Sequence, residues 1–148
     1  MAELSEKLSA SAELLEKLSA TRLAEAKTLA ENGHHAGAIY VGGYAVECLL
    51  KAAICCCLDL DRLPTTFHSH DLEALLVRSG LKRKLERTKR VHENFGMITA
   101  LWNVEGGDPI RYKNPGEVKE ADSRKFIGWL ANSNVGVLPW VSNQISKK

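Results

Sequence analysis

The chain has 148 residues, of which 45% are hydrophobic and 26% charged, a length and composition that fit one domain with its own core. Its 20 basic and 18 acidic side chains give a net charge of +2, which excludes a protein that coats nucleic acid by bulk charge. The charge is uneven, because residues 82–90 hold six basic side chains and one acidic one. That segment carries +5, so the rest of the chain carries −3.

The N-terminal segment predicts a long helix. Residues 3–31 consist mostly of Ala, Leu, Glu and Lys, and an Asn-Gly pair follows as a stop signal. Residues 2–10 and 12–20 match at eight of nine positions. A shift of ten residues turns the pattern by about 80° on a helix, so the two copies face different ways. We interpret residues 1–20 as a helical extension of the domain.

A second helix is predicted from His35 to about Leu58, and it carries two stripes at helical spacing. The apolar stripe predicts a buried seam made of Ile39, Gly43, Val46, Leu50, Ala53 and Cys57. Each glycine of the Gly42-Gly43 pair costs roughly 1 kcal/mol within a helix, so the pair indicates close approach by another backbone. The other stripe contains Tyr40, Tyr44, Glu47 and Lys51.

The rest of the chain predicts further helices, and no segment has the sustained two-residue alternation of a strand. The predicted helices are 70–79 with Ser69 as its cap, 81–102, 117–131 and 138–145, and the loops are 59–68 and 103–116. Residues 133–148 are expected to form a short C-terminal helix and tail. The predicted fold class is all-α, an antiparallel up-and-down bundle of four to five main helices in one domain spanning 1–148.

The chain is expected to be cytoplasmic and without a membrane partner. Its N-terminus has no apolar signal segment, and Glu47 and Lys51 interrupt the longest apolar run well short of the roughly 20 residues that a span needs. Three consecutive cysteines, Cys55 to Cys57, point in different directions on a helix and cannot pair with one another as ordinary disulfides. A reducing compartment is therefore favoured.

The same cysteines, together with His68 and His70, first suggest a metal site. Zinc ligands usually come in pairs spaced by two to four residues, and three consecutive cysteines lack that spacing. We therefore expect the cysteines to serve as small core side chains, and we expect no metal and no other cofactor.

Glu47 and Lys51 have the favourable i, i+4 order of a helical ion pair, which contributes only about 0.3–0.5 kcal/mol on a solvated face. They share their stripe with Tyr40 and Tyr44, and rings beside a charge pair suit a nucleotide base and its phosphate. The alternative is that the stripe packs under another helix.

Two further segments offer phosphate contacts. Arg111, Tyr112 and Lys113 lie in a loop rich in glycine and proline, where a ring between two cations is able to stack on a base and hold phosphate. The alternative is an ordinary surface turn. In the basic run, a helix would place Arg83, Arg87 and Arg90 on one face, which either contacts phosphates or is simply solvated.

Arg62 and His68 suggest a different chemistry, metal-independent cleavage of RNA. A histidine with a near-neutral pKa shuttles the proton, and a guanidinium stabilises the phosphorane charge. Pro64 interrupts the backbone between them. The alternative is a loop arginine and a histidine packed at the start of a helix.

Three segments in this order and spacing resemble HEPN domains (higher eukaryotes and prokaryotes nucleotide-binding): 36–52 (AGAIYVGGYAVECLLKA), 66–76 (TFHSHDLEALL) and Arg111-Tyr112. The resemblance covers roughly residues 20–132. It implies an antiparallel helical bundle, commonly a homodimer, which often partners a small nucleotidyltransferase in a toxin–antitoxin or related pair. Family members that are endoribonucleases use an arginine followed four to six residues later by a histidine, and Arg111 has no such histidine.

The leading hypothesis is therefore a non-catalytic, dimeric HEPN-like module that binds a nucleotide or RNA phosphate. The expected ligand-binding residues are Arg111, Tyr112, Lys113, Glu47, Lys51, Tyr44 and His70. One alternative is an endoribonuclease that uses Arg62 and His68. Another is a purely structural dimerisation module, with Gly42, Gly43 and the tyrosines in the dimer seam.

Overall fold

Seven α-helices and three short 3₁₀ turns account for most of residues 10–102 and 110–146, the part of the chain that the computed structural model describes. No strand occurs in these residues, which confirms the all-α class. The helices are α1 (Ala12–Glu31), α2 (His35–Cys57), α3 (Leu72–Arg78), α4 (Lys82–Arg87), α5 (Lys89–Trp102), α6 (Glu120–Ala131) and α7 (Val137–Ser146). The 3₁₀ turns are Thr65–Phe67, Ile110–Tyr112 and Pro115–Glu117.

Helix α2 is the centre of the bundle. It packs against α1, α3, α5, α6 and α7, and most of its residues between Ala38 and Cys55 are buried. The predicted apolar seam is confirmed except at its last member, Cys57, which is exposed at the end of the helix. By length and composition α2 is also apolar enough to cross a membrane, but 67% of its most apolar window is buried inside the bundle, as in the core helix of a globular domain.

Helices α1 and α2 form a tight pair joined at Gly33, whose φ of +81° places it in the left-handed region that glycine adopts without strain. Leu15 and Ser19 of α1 are buried, and the Ser19 hydroxyl donates a 2.7 Å hydrogen bond to the Ala45 carbonyl of α2. Residues 12–20 are therefore an integral part of the bundle and not an extension from it. Residues 1–9 lie outside the described part of the chain.

Large side chains of this same chain pack directly against the two central glycines of α2. A Cβ at Gly43 would overlap the indole of Trp102, and a Cβ at Gly42 would lie 2.9 Å from a Leu130 methyl and 3.0 Å from the Phe126 ring. The Trp102 indole N–H donates a 3.0 Å hydrogen bond to the Tyr40 carbonyl, which fixes the ring over the glycine. Side chains of the same chain therefore cover both glycines, where close approach of another backbone was predicted. The alternative of a dimer seam that contains them stays a prediction.

The predicted helix over 81–102 is broken at Thr88, whose ψ of 78° ends α4. The Thr88 hydroxyl donates to the Lys84 carbonyl four residues earlier, a contact that bends helices. Both Leu85 and Val91 are buried, although six residues of continuous helix would turn them about 120° apart. The break lets both α4 and α5 bury their apolar faces.

The later helices begin close to the predicted residues, and local contacts account for the differences. Asp71, and not the predicted Ser69, caps α3 by accepting from the Ala74 N–H at 3.2 Å. Helix α6 begins three residues later than predicted, because Pro115–Glu117 forms a 3₁₀ turn of its own. The last helix agrees with the prediction, and its Val137, Leu138 and Val141 are buried.

Replacing Gly43 with alanine should lower the free energy of unfolding by about 1–3 kcal/mol, because the added methyl overlaps the Trp102 ring. Gly96→Ala is the matched control, since a Cβ at this exposed α5 position meets no atom within 4 Å. That variant should be unchanged or more stable by up to about 1 kcal/mol. Urea unfolding followed by circular dichroism measures both, and equal midpoints would contradict the packing described above.

Candidate functional site

Glu47 is a buried carboxylate with two basic partners. It lies on α2 with 6% of its side chain exposed, and its Oε2 accepts a 3.1 Å hydrogen bond from the Lys51 ammonium one turn later. Lys51 is almost as buried, with 10% of its side chain exposed. The second oxygen, Oε1, lies 2.6 Å from Nδ1 of His70. Glu47 therefore links α2 to the residues that lead into α3.

The burial of this cluster explains its pairing. Removing an ion from water is expensive, and a buried carboxylate is tolerated when opposite charge and hydrogen bonds replace its hydration. The i, i+4 spacing supplies Lys51, whereas His70 arrives from a position 23 residues away. The alternative that this stripe packs beneath other parts of the chain is thus confirmed for Glu47 and Lys51, which are not on a solvated face.

Aromatic rings continue the stripe towards the N-terminus of α2. Tyr44 makes edge-to-face contacts with three rings, at centroid distances of 5.1 Å to Tyr40, 5.4 Å to Trp102 and 5.9 Å to His70. The hydroxyls of Tyr40 and Tyr44 lie 3.2 Å apart. Edge-to-face pairs of this kind stabilise one another beyond simple burial. Tyr44 therefore joins the Glu47 cluster to the surface around Tyr40.

A groove of about 450 Å³ opens beside Tyr40, between the first turns of α2 and the segment 110–115. Its lining residues are Ala36, Gly37, Tyr40, Ile110, Tyr112, Lys113 and Pro115. Ile110 is buried and anchors the segment, whereas Tyr112 is 78% exposed at the rim. We refer to this site as the tyrosine groove.

The tyrosine groove brings together only part of the expected ligand site. Tyr112 and Lys113 line it, but Glu47 and Lys51 do not, since they lie about two and three turns along α2 from Tyr40. The Lys51 ammonium is instead held by Glu47. The side chain of Arg111 lies outside the described part of the structure.

Tyr40 was missed as a member of the expected ligand site. It shares the stripe of Tyr44 and Glu47, so its position on α2 was visible from helical spacing. Its place in the groove depends on the segment around Ile110, some 70 residues later in the chain, which periodicity does not reveal.

A second cavity, of about 300 Å³, lies between α1, α2 and α7 and differs in chemistry from the tyrosine groove. Its walls include Leu23, Leu49 and Leu138, and Glu16 faces it together with Lys27. None of the described residues that line it is aromatic. Among the described residues, the tyrosine groove is lined by two tyrosines and a lysine and by no acidic side chain, so it is the better match for a base and a phosphate.

Arg62 and His68 both lie exposed on the connection between α2 and α3. Between them the Thr65–Phe67 turn packs near α3, where the Arg78 guanidinium sits 5.9 Å from the centre of the Phe67 ring. Leu63 is buried, and its N–H donates to the Ala10 carbonyl. Ribonuclease chemistry at Arg62 and His68 stays a prediction.

The four cysteines lie in different environments, with Cys55 buried and Cys57 exposed. Burial raises the pKa of the Cys48 thiol, and the negative charge of Glu47 raises it further while Lys51 opposes this. Burial likewise raises the pKa of Cys55. Across residues 10–102 and 110–146, no three His, Cys, Asp or Glu side chains are grouped closely enough to hold a metal ion.

Comparison of the chain with protein-family models, with curated proteins and with solved structures found no match. The HEPN resemblance therefore stays a prediction that rests on the three segments of this chain.

A double-mutant cycle measures the buried pair. Glu47→Leu should reduce the free energy of unfolding by about 3–5 kcal/mol, because it leaves the Lys51 ammonium buried without its carboxylate. Adding Lys51→Met should restore part of that loss.

The exposed Glu120–Arg124 pair on α6 has the same spacing and serves as the control. Glu120→Leu should change stability by no more than about 0.5–1 kcal/mol. A double variant at 47 and 51 that is less stable than Glu47→Leu would contradict the account of the buried pair.

Proposed function

We propose that this protein is a non-catalytic nucleotide-binding module whose ligand occupies the tyrosine groove. The observation that carries the proposal is the position of Tyr112, a large aromatic side chain left 78% exposed beside Lys113 at the rim of a concave site. Exposed aromatic rings next to a cation are typical of surfaces that bind bases and phosphates. Tyr40 supplies a second ring from the opposite wall.

Each group in the groove has a chemical role in the proposal. The Tyr112 ring stacks on the base, an interaction that contributes about 1–3 kcal/mol per base and accepts any base. The Lys113 ammonium pairs with a phosphate oxygen, and Arg111, two residues earlier in the chain, stays the second cation expected from the sequence. The groove volume of about 450 Å³ falls within the usual range for small-ligand sites.

The segment that carries these groups is held in shape at both ends. Ile110 is buried in the core, and the Asn114 side chain accepts a 3.0 Å hydrogen bond from the Gly116 N–H. Pro115 then opens a 3₁₀ turn that leads into α6. A binding loop that is ordered before the ligand arrives loses less conformational entropy on binding.

The proposal extends to the HEPN type, with the homodimer and the nucleotidyltransferase partner of a toxin–antitoxin-like pair that this resemblance implies. Two observations support it. Glu47 belongs to the first HEPN-like segment and His70 to the second, and these two side chains meet at 2.6 Å. The all-α bundle has α2, which contains the first segment, at its centre.

Titration calorimetry with ATP and AMP tests the proposed site. Tyr112→Ala should weaken binding of both nucleotides at least fivefold, because it removes the stacking surface. Lys113→Gln should weaken ATP more than AMP, since more phosphate charge faces the lost ammonium.

Lys125→Gln removes an exposed cation from α6, outside the groove lining, and should leave both affinities within twofold. If the Tyr112 and Lys113 variants bind as tightly as this control, the groove is not the nucleotide site.

A further inference from the structure

The strongest charge on the described surface lies away from the tyrosine groove, on α4 and the first turn of α5. We call it the basic surface; it consists of Lys82, Arg83, Lys84, Arg87, Lys89 and Arg90. All six side chains are exposed. Elsewhere in the chain, exposed cations such as Lys17 and Arg124 pair with a carboxylate one turn away. Within the described residues, the six cations of the basic surface form no ion pair, even with Glu86.

Because of the break at Thr88, the three arginines that were predicted on one helix face belong to two helices, which meet at a corner of the fold. Arg83 and Arg87 lie one turn apart on α4, whereas Arg90 belongs to α5. Leu85, the only hydrophobic side chain between positions 82 and 90, is buried beneath them. The outer face of this corner is therefore made of charged side chains and the half-buried Thr88.

We propose that the basic surface docks the phosphate backbone of a polynucleotide, independently of sequence. Six neighbouring cations with one intervening carboxylate suit a ligand of closely spaced negative charges, such as the phosphates of a nucleic acid strand. No aromatic ring occurs among residues 82–90, so this surface grips the backbone without stacking on bases. The rest of the chain carries a net charge of −3, so it adds no net attraction for a polyanion.

A protein or membrane partner fits the basic surface less well. Protein interfaces have an apolar or aromatic centre and are depleted in lysine, whereas the one hydrophobic residue here faces inward. A helix that binds in a membrane interface inserts an apolar face, and α4 buries its leucine within the bundle. A nucleic acid backbone is therefore favoured over a protein and over a membrane as the partner of the basic surface.

Fluorescence anisotropy with labelled 12-nucleotide RNA, the same DNA sequence and an RNA duplex tests the proposal at several salt concentrations. Binding through about three to five phosphates should give a slope of log affinity against log salt of about −2 to −4.5. The variant Arg83→Gln/Arg87→Gln/Arg90→Gln should lose at least tenfold in affinity and flatten the slope by about 2 to 3. Preference for any of the three probes is consistent with backbone docking and identifies the strand type.

The matched control, Lys17→Gln/Arg124→Gln/Lys125→Gln, removes the same charge from exposed sites elsewhere and should bind RNA within about threefold of the unmodified protein. Circular dichroism of each variant checks that the helices remain, and the three single arginine variants repeat the test with less disturbance. Tyr112→Ala should retain RNA affinity within twofold, which separates this surface from the nucleotide groove.

Three outcomes would overturn the proposal. The first is no RNA binding at 50 mM salt, and the second is an equal loss of affinity in the test and control triple variants. The third is that polyglutamate or anionic phosphatidylserine vesicles bind more tightly than RNA through the same three arginines. The first two would leave the nucleotide titrations at the tyrosine groove unaffected. The third would assign the basic surface to an acidic protein or a membrane.

Discussion

Burial of α2 on nearly every side is the constraint on which the rest of the structure depends. Five helices pack around α2. The chain must therefore place small residues where large side chains of other helices cross α2, and it must provide a partner for each charged side chain of α2 that is buried. Gly42 and Gly43 meet the first requirement beneath Phe126, Leu130 and Trp102. Lys51 and His70 meet the second at Glu47.

The same constraint explains where a ligand is able to bind. The end of the stripe that contains Glu47 is filled by the chain's own charges, so it serves to hold α2 and the residues before α3 together. In the described residues, the Tyr40 end opens into a groove, where the buried Ile110 brings Tyr112 and Lys113 alongside. One helix face thus has a structural half and a half that is available for binding, joined through Tyr44.

Helical periodicity predicted the elements that depend on local sequence. The bounds of α2, its buried seam and the last helix follow from spacing and stop signals that lie within a few residues. The break at Thr88 depends on which faces of α4 and α5 are buried, which is a tertiary property. The signal for it in the sequence was the six-residue spacing between Leu85 and Val91, which does not fit one buried face of a continuous helix. No glycine or proline interrupts residues 82–95, so the local sequence predicted one continuous helix there, and that prediction was wrong.

The candidate site was only half accessible to sequence reasoning, because its members meet across long chain separations. Glu47 and Lys51 were identified as a pair by their spacing, but burial and the contact with His70 are tertiary properties. Tyr112 and Lys113 were identified by their residue types in a loop, and the groove partner Tyr40 became evident only when the segment around Ile110 was placed against α2.

The central claim, that the tyrosine groove holds a nucleotide, is tested most directly by mapping bound ATP on the protein through amide chemical shifts. The account predicts saturable shifts at Ala36, Gly37, Tyr112 and Lys113 that AMP reproduces more weakly. Signals from the leucine-lined cavity, such as those of Leu23, should stay in place. Saturation with ATP that leaves the groove signals unmoved, or that shifts only the cavity between α1, α2 and α7, would contradict the claim.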